Sequence, residues 1–185
     1  IAATASPLLT PLLATMVLLP WLWALPALHA MPLQLQWSGA CLVVLMLGWP
    51  LAVLVLLAVG AATGLVSPMD GSQCLVATVW QGLVPATLAL LLGAVLRRLT
   101  GENMFVYILG RGFLGTALCI FIASVLAQWA GSPLPGVGDQ LSLVAHWLMA
   151  WGDAFVTGML TAIFVAFKPE WLATWSDRLY LRKPD

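Results

Sequence analysis

Long apolar runs constrain this chain more than any other feature of its sequence. Proline, glycine or charged residues separate six of them, which cover residues 8–28, 35–47, 50–66, 73–96, 104–128 and 143–167. A bilayer core about 30 Å thick is crossed by about 20 apolar residues in a helix. Apolar residues make up 62% of the chain and charged residues only 8%, which excludes soluble enzymes, nucleic-acid binders and disordered tails. The sequence therefore predicts an all-α, polytopic transmembrane bundle of six helices.

The second run is too short for a full span, and we expect it to be half-buried or tilted. We expect the bundle to occupy residues 1–167 and an amphiphilic tail, residues 168–185, to lie along the membrane surface. Because the chain begins at Ile1 rather than Met, we also expect an N-terminal piece to precede it.

The basic residues predict the orientation of the helices. Arg97 and Arg98 follow the fourth run, and four further basic residues follow the sixth, whereas residues 130–142 contain one acid and no base. The positive-inside rule then places the 97–103 loop and the C-terminus in the cytoplasm. A net charge of zero gives no indication of a polyanionic partner such as nucleic acid.

Three ionisable residues fall inside predicted spans and are candidates for a substrate path: Arg111, His146 and Asp153. His146 and Asp153 share one helix face with two threonines, beside a row of small residues. At 1.5 Å per residue, Asp153 lies about 15 Å from the outer end of its predicted helix and Arg111 about 10 Å from the inner end of its own. Two interpretations stay open, a polar packing network with Arg111 pairing or snorkelling, and a path for substrate or ions.

The predicted outer loops contain possible ligands for a transition metal. His29 and Met31 lie in one loop, and Cys74 lies close behind a second one. Imidazole, thioether and thiolate groups suit late first-row metals and Cu(I). A metal-entry site is therefore possible if the two loops meet.

The sequence contains no arrangement that indicates an enzyme. Residues 110–115 spell GxGxxG, but the dinucleotide fingerprint needs a preceding strand, and here we expect close helix packing instead. Ser142 and His146 are one helical turn apart without an evident third partner for nucleophilic catalysis.

Several segments together resemble one family of membrane proteins, the CbiM-type permease component of energy-coupling factor ABC transporters, in a poorly characterised proteobacterial branch. The segments are LQWSGA at 35–40, LMLGWPLA at 45–52, NMFVYILG at 103–110, GFLG at 112–115, DAFVTGML at 153–160, KPEW at 168–171 and DRLYL at 177–181.

The resemblance implies a substrate-binding membrane subunit of seven helices, so a further helix would precede Ile1. It also implies a place in the bacterial inner membrane, with a transmembrane coupling protein and cytoplasmic ATPases as partners. In metal-binding members an N-terminal amine, a second-position histidine and a further histidine hold the ion. Gln36 stands where that further histidine belongs, and an amide is a poorer nickel or cobalt ligand than imidazole. Asp153 matches the acidic position of the family's last helix.

The sequence therefore predicts a permease-type subunit for uptake of a cobalt- or nickel-like ion, with Gln36, Asp153, Arg111 and His146 along the substrate path. We expect it to contact membrane lipids and to have no intrinsic cofactor, no chemistry of its own and no nucleic-acid partner. The alternative is a non-transporting accessory or structural subunit of a larger membrane complex. A transporter needs a polar cavity entered from outside, whereas an accessory subunit needs only a broad apolar face.

Overall fold

The computed structural model of this chain describes residues 7–28, 37–100, 103–132 and 139–175. Most of these residues belong to six helices, and none of them forms a β-strand. Helix α1 is Leu9–Leu28, α2 is Ala40–Leu47 and α3 is Trp49–Val66. Helix α4 is continuous through Gly71–Ala77, Thr78–Leu83 and Val84–Thr100. Helix α5 joins Val106–Leu114 to Gly115–Trp129, and α6 is Asp139–Phe167, followed by a 3₁₀ turn at Pro169–Trp171.

Five of these helices are long and apolar enough to cross a membrane, namely α1, α3, α4, α5 and α6. Their outer surfaces are apolar as well; Leu65, Trp129 and Phe155 are 89%, 81% and 63% exposed. Soluble monomers rarely expose apolar surface on this scale, so these side chains face lipid. The predicted all-α membrane bundle is confirmed, and the predicted helix bounds agree to within a few residues except at α2 and the start of α6.

The chain reverses direction at each connection from α3 to α6, whereas α1 and α3 run parallel because the short α2 lies between them, so the bundle has two ends of different character. Arg97 and Arg98 lie in the last turn of α4, and Lys168 follows α6 directly. We call this end the basic end. The other end, called the far end, contains the last turns of α1 and α5 and the connection between α3 and α4 at residues 67–70.

The short helix α2 lies in the middle of the bundle rather than across the membrane. All eight of its residues are buried, none being more than 7% exposed. At 1.5 Å per residue the helix is only about 12 Å long. The second helix is short, as predicted, but it is fully buried rather than half-buried, and it begins at Ala40 because residues 37–39 are not helical.

Two wide π-helical stretches, Thr78–Leu83 in α4 and Val106–Leu114 in α5, interrupt the regular α-helical pattern. Helix α3 makes room for the first one with a glycine, because a Cβ atom on Gly60 would overlap the Thr78 side chain. Such bulges leave carbonyl groups free for other partners and are frequent at functional sites. One of these carbonyls contributes to the site described below.

Helices α5 and α6 approach closely through glycine. A Cβ atom on Gly112 would lie 3.1 Å from the Thr161 side chain, and one on Gly158 would lie 3.0 Å from Phe113. Small residues allow transmembrane backbones to approach in this way. The GxGxxG string at 110–115 therefore serves helix packing, as predicted.

Candidate functional site

The centre of the candidate site is a turn, Trp37–Gly39, that leads into the buried helix α2. The Asp153 carboxylate accepts hydrogen bonds from the backbone N–H groups of Ser38, at 2.8 Å, and of Gly39, at 3.3 Å. Asp153 is only 2% exposed. It is the middle residue of the 29-residue helix α6, about 21 Å from either end at 1.5 Å per residue. This is deeper than the sequence indicated, because α6 begins four residues earlier than predicted.

The carboxylate bonds to the two N–H groups that lie just before helix α2, in the turn rather than in the helix itself. The first helical N–H group, that of Ala40, donates to the Ser38 hydroxyl at 3.2 Å instead. Gly39 has the left-handed φ of 64°, which glycine adopts without the strain that other residues would meet. A Cβ atom there would also lie 2.9 Å from Leu19 Cδ1. Asp153, on a distant helix, therefore holds the turn from which α2 begins.

Ser38 connects this turn to two further helices. The Trp23 indole Nε1 on α1 donates to the Ser38 carbonyl at 3.1 Å. The Ser38 hydroxyl donates to the Gln81 carbonyl in the π-helical part of α4. Residues from α1, α4 and α6 thus hold one buried turn. The sequence analysis missed Trp23 and Ser38, although a serine just before an apolar helical run is a recognised N-terminal signal.

A cleft of about 670 Å³ opens at the far end of the bundle and reaches Ser38. Its walls come from α1, the α3–α4 connection, the first half of α4, the second half of α5 and the first half of α6. Side chains with hydrogen-bonding groups line it alongside apolar ones; among the former are Ser38, Gln73, Gln81, Ser124, Ser132 and His146. The cleft therefore combines apolar walls with a few polar groups, as small-molecule sites do.

His146 lines this cleft from α6, two helical turns before Asp153. It is 5% exposed, and its Nδ1 atom has no hydrogen-bond partner in the part of the chain that the structure describes. The Ser142 hydroxyl, one helical turn earlier, accepts a hydrogen bond from Gln128 Nε2 at 2.8 Å. An unpartnered nitrogen of this kind costs stability unless a ligand or water bonds to it.

Arg111, predicted to lie on the substrate path, is placed elsewhere. Its guanidinium carbon lies 5.4 Å from the centre of the Tyr107 ring, and its side chain packs against Gly93 of α4. No ion pair joins it to Asp153 among residues 7–28, 37–100, 103–132 and 139–175. Arg111 therefore makes a cation–π contact with Tyr107 and packs against α4, and the pairing with Asp153 that the sequence left open is not formed there.

Of the predicted metal ligands, the structure describes Cys74. This residue is buried in α4, and its sulfur faces α3. A Cβ atom added to Gly64 of α3 would lie 3.4 Å from that sulfur. Within the described ranges no three His, Cys, Asp or Glu side chains are grouped so that they could hold a metal ion. His29, Met31 and Gln36 lie outside the described residues.

The C-terminal segment, residues 168–175, closes the other end of α2. The Ala173 N–H donates to the Met46 carbonyl at 2.9 Å, and the Thr174 hydroxyl donates to the Leu45 carbonyl at 2.8 Å. Leu172 is 2% exposed and Trp175 is 8% exposed. In the predicted surface tail, Leu172 and Trp175 thus pack into the bundle, whereas the side chains of Lys168 and Glu170 are 56% and 46% exposed. Residues 176–185 lie outside the described part.

Comparisons of this chain with protein-family models, with curated proteins and with solved structures found no match. The functional argument therefore rests on the geometry of the cleft and on the residues around it.

Proposed function

We propose that this protein is the substrate-binding, permease-type membrane subunit of an energy-coupling factor transporter, working with a transmembrane coupling protein and partner ATPases. The observation that carries the proposal is the cleft, which enters the bundle at the far end and reaches Ser38 near the middle of the membrane span. Transporters commonly bind their substrates near the bilayer midplane, beside discontinuous helices. Helix α2 begins at that depth and ends inside the bundle.

The cleft also separates this proposal from the alternative of an accessory subunit. Such a subunit needs an apolar surface for its partner, and it gains nothing from a polar cleft. The structure has a cleft with hydroxyl, amide and imidazole groups and with the unpartnered Nδ1 of His146. Keeping a buried polar atom without a partner costs about 1–3 kcal/mol, a cost that is understandable where a substrate supplies the partner.

Uptake of a cobalt- or nickel-like ion is the finer part of the proposal, supported by the family resemblance. In the described part of the chain, His146 is the one imidazole, and Met69 and Met149 line the same cleft. Imidazole and thioether groups suit a late first-row metal. His29 and Met31 would be the further ligands.

The test is purification from the native membrane combined with an uptake assay. We expect a coupling protein and ATPases to co-purify with the chain. Ser124→Trp places a large side chain in the cleft, whereas Leu118→Trp adds the same side chain on a surface that is 46% exposed and serves as the matched control. Both complexes should assemble, but only the Ser124 variant should lose accumulation of nickel and cobalt in whole cells.

The possible failures are distinguishable. A complex without ATPases would contradict the transport proposal and favour the accessory subunit. If ATPases co-purify but metal accumulation is unchanged in both variants, only the metal-ion part of the proposal is contradicted.

A further inference from the structure

Two buried cysteines from distant parts of the chain meet behind the inner wall of the cleft. Cys41, the second residue of α2, and Cys119 of α5 are both 2% exposed and belong to one buried cluster with Ile120 and Ala150. Their thiol groups are hydrogen-bonded to each other. A single buried cysteine usually behaves as a small apolar side chain. Two thiols in contact, however, are also a pair of sulfur ligands for one metal ion.

Two oxygen atoms complete a set of four donors around the Cys41 sulfur. The Cys41 thiol donates to the Pro85 carbonyl of α4 at 4.0 Å, and the Thr116 hydroxyl of α5 lies within hydrogen-bond reach of it. The Thr116 hydroxyl gives its own proton to the Gly112 carbonyl at 2.8 Å, so its lone pairs stay available for another partner. Four donors are the number that a tetrahedral metal site needs. Because only two of the four belong to Cys, His, Asp or Glu side chains, this set is smaller than the groups of three that are absent from the described ranges.

The cysteine pair lies between the cleft and a second, much smaller cavity. Pro85, which accepts the Cys41 hydrogen bond, and Ile120, which follows Cys119, both line the cleft. Toward the basic end, Cys41 and Arg111 line a cavity of about 10 Å³, roughly the volume that one water-sized probe occupies. The two sulfur atoms therefore lie directly behind the wall that an ion in the cleft contacts.

The charges around the pair are compatible with a divalent ion held by two thiolates. Each thiol gives its proton to water when it binds the metal, and the two thiolates then neutralise the ion. A neutral complex avoids the cost of placing a net charge among apolar side chains. Two charged side chains lie beside the pair in the described part of the chain, the Asp153 carboxylate and the Arg111 guanidinium. Since their charges are opposite, a neutral complex between them is not repelled.

Charges at the far end favour the approach of a cation to the cleft. Asp70 directly precedes α4 and Asp139 is the first residue of α6, so both belong to this end. The seven lysines and arginines of the chain lie elsewhere in the sequence, from Arg97 to Arg111 and from Lys168 onward. An end that has carboxylates but neither lysine nor arginine raises the local concentration of cations.

We propose that Cys41 and Cys119 form an inner binding site for the transported nickel- or cobalt-like ion. The Pro85 carbonyl and the Thr116 hydroxyl complete its coordination. This inference rests on the proposed function, since it adds a second site to the route of the same ion. The ion is held first in the cleft, where His146 lies, and then by the two sulfur atoms. Thiolate ligands favour late first-row ions over Mg²⁺, which prefers oxygen.

Cobalt(II) tests the inner site because its bonds to thiolates absorb near-ultraviolet light. The full-length protein in lipid nanodiscs, kept reduced with a phosphine, is titrated with cobalt chloride. We expect a cobalt–thiolate charge-transfer band that saturates, and a large excess of magnesium chloride should not remove it.

Serine variants locate the sulfur ligands. Cys41→Ser and Cys119→Ser should each weaken the cobalt binding that gives the band about tenfold or more, because even the loss of an outer-shell partner weakens metal binding about 10–100-fold. Both should also lower the accumulation of nickel and cobalt in whole cells. Leu118→Ala, next to Cys119 but 46% exposed, is the matched control and should keep the band and the accumulation. Cys74→Ser asks whether the third cysteine, whose sulfur faces α3, supplies the ligand instead, and the band should persist in it.

Several results would overturn the inference. They are a wild-type protein that binds no cobalt or binds it without the thiolate band, a band lost in Cys74→Ser alone, and full metal accumulation in both other serine variants. Circular dichroism shows whether each variant is folded, and the wild-type spectrum decides even where a variant is not. Accumulation that Ser124→Trp abolishes but the cysteine variants retain would remove the inner site and leave the proposed function intact.

Discussion

Replacing Asp153 tests whether its carboxylate holds the buried helix α2 in place. Asp153→Ala leaves the Ser38 and Gly39 N–H groups without their acceptor at a buried position beside the inner end of the cleft. Each buried donor left unpaired costs about 1–3 kcal/mol, so the loss in the free energy of unfolding should be about 2–6 kcal/mol. Asp153→Asn keeps one acceptor oxygen but turns an amide N–H toward a backbone N–H. Asp153→Asn should therefore lower the free energy of unfolding by about 1–3 kcal/mol, because it leaves one donor unpaired instead of two.

The measurement is equilibrium unfolding of the purified chain in mixed micelles, followed by far-ultraviolet circular dichroism as the fraction of SDS rises. Met159→Ala, on the same helix and 57% exposed, is the matched control, and a surface change of this kind should stay within about 0.5 kcal/mol. The reasoning would be refuted if Asp153→Ala unfolded like this control, or if Asp153→Asn cost as much as the alanine variant.

Three further predictions use the same unfolding measurement. Thr157→Val should change stability by less than about 0.5 kcal/mol or raise it, because the buried Thr157 hydroxyl has no partner within the described residues; a loss above 1 kcal/mol would be contrary to this. Thr174→Val should cost about 2 kcal/mol, because the hydroxyl bonds both to the Leu45 carbonyl at the end of α2 and to the Tyr107 hydroxyl and each lost hydrogen bond is worth about 1 kcal/mol; no loss would show that these two bonds do not stabilise the fold. Gly60→Ala should cost about 1–3 kcal/mol through overlap with Thr78, and adding Thr78→Ala should restore most of this lost stability. Gly71→Ala is the control, because open space surrounds Gly71 and a second substitution should not be needed to keep its stability. A double variant as unstable as Gly60→Ala alone would contradict the packing argument.

Much of the fold was predictable because lipid imposes one rule on every spanning segment. Apolar runs of sufficient length had to be helices, and the short run ending at Leu47 had to be something other than a span. Periodicity along α6 also placed His146 and Asp153 on an inward face, where both are buried. Local spacing carries that information, because residues three, four or seven apart share one side of a helix.

The site itself was only partly predictable, because its decisive contacts join segments far apart in the chain. Ser38 and Asp153 are 115 residues apart, and Thr174 is 129 residues from its partner Leu45. No local pattern reports such pairings. Arg111 shows the same limit: its depth in the membrane left a pairing with Asp153 open, but the packing of α4 and α5 turned it toward Tyr107 and Gly93.

A buried helix of eight residues explains why certain distant segments of this sequence belong together. Such a helix leaves backbone N–H groups at one end and carbonyls at the other without partners, and inside a membrane no water replaces them. The turn before its N-terminal end is held by the carboxylate that begins the segment 153–160, and the carbonyls at its C-terminal end accept hydrogen bonds from residues that follow 168–171. The segments 153–160 and 168–171, on which the family resemblance partly rests, therefore lie at or beside contacts that the folding of α2 requires.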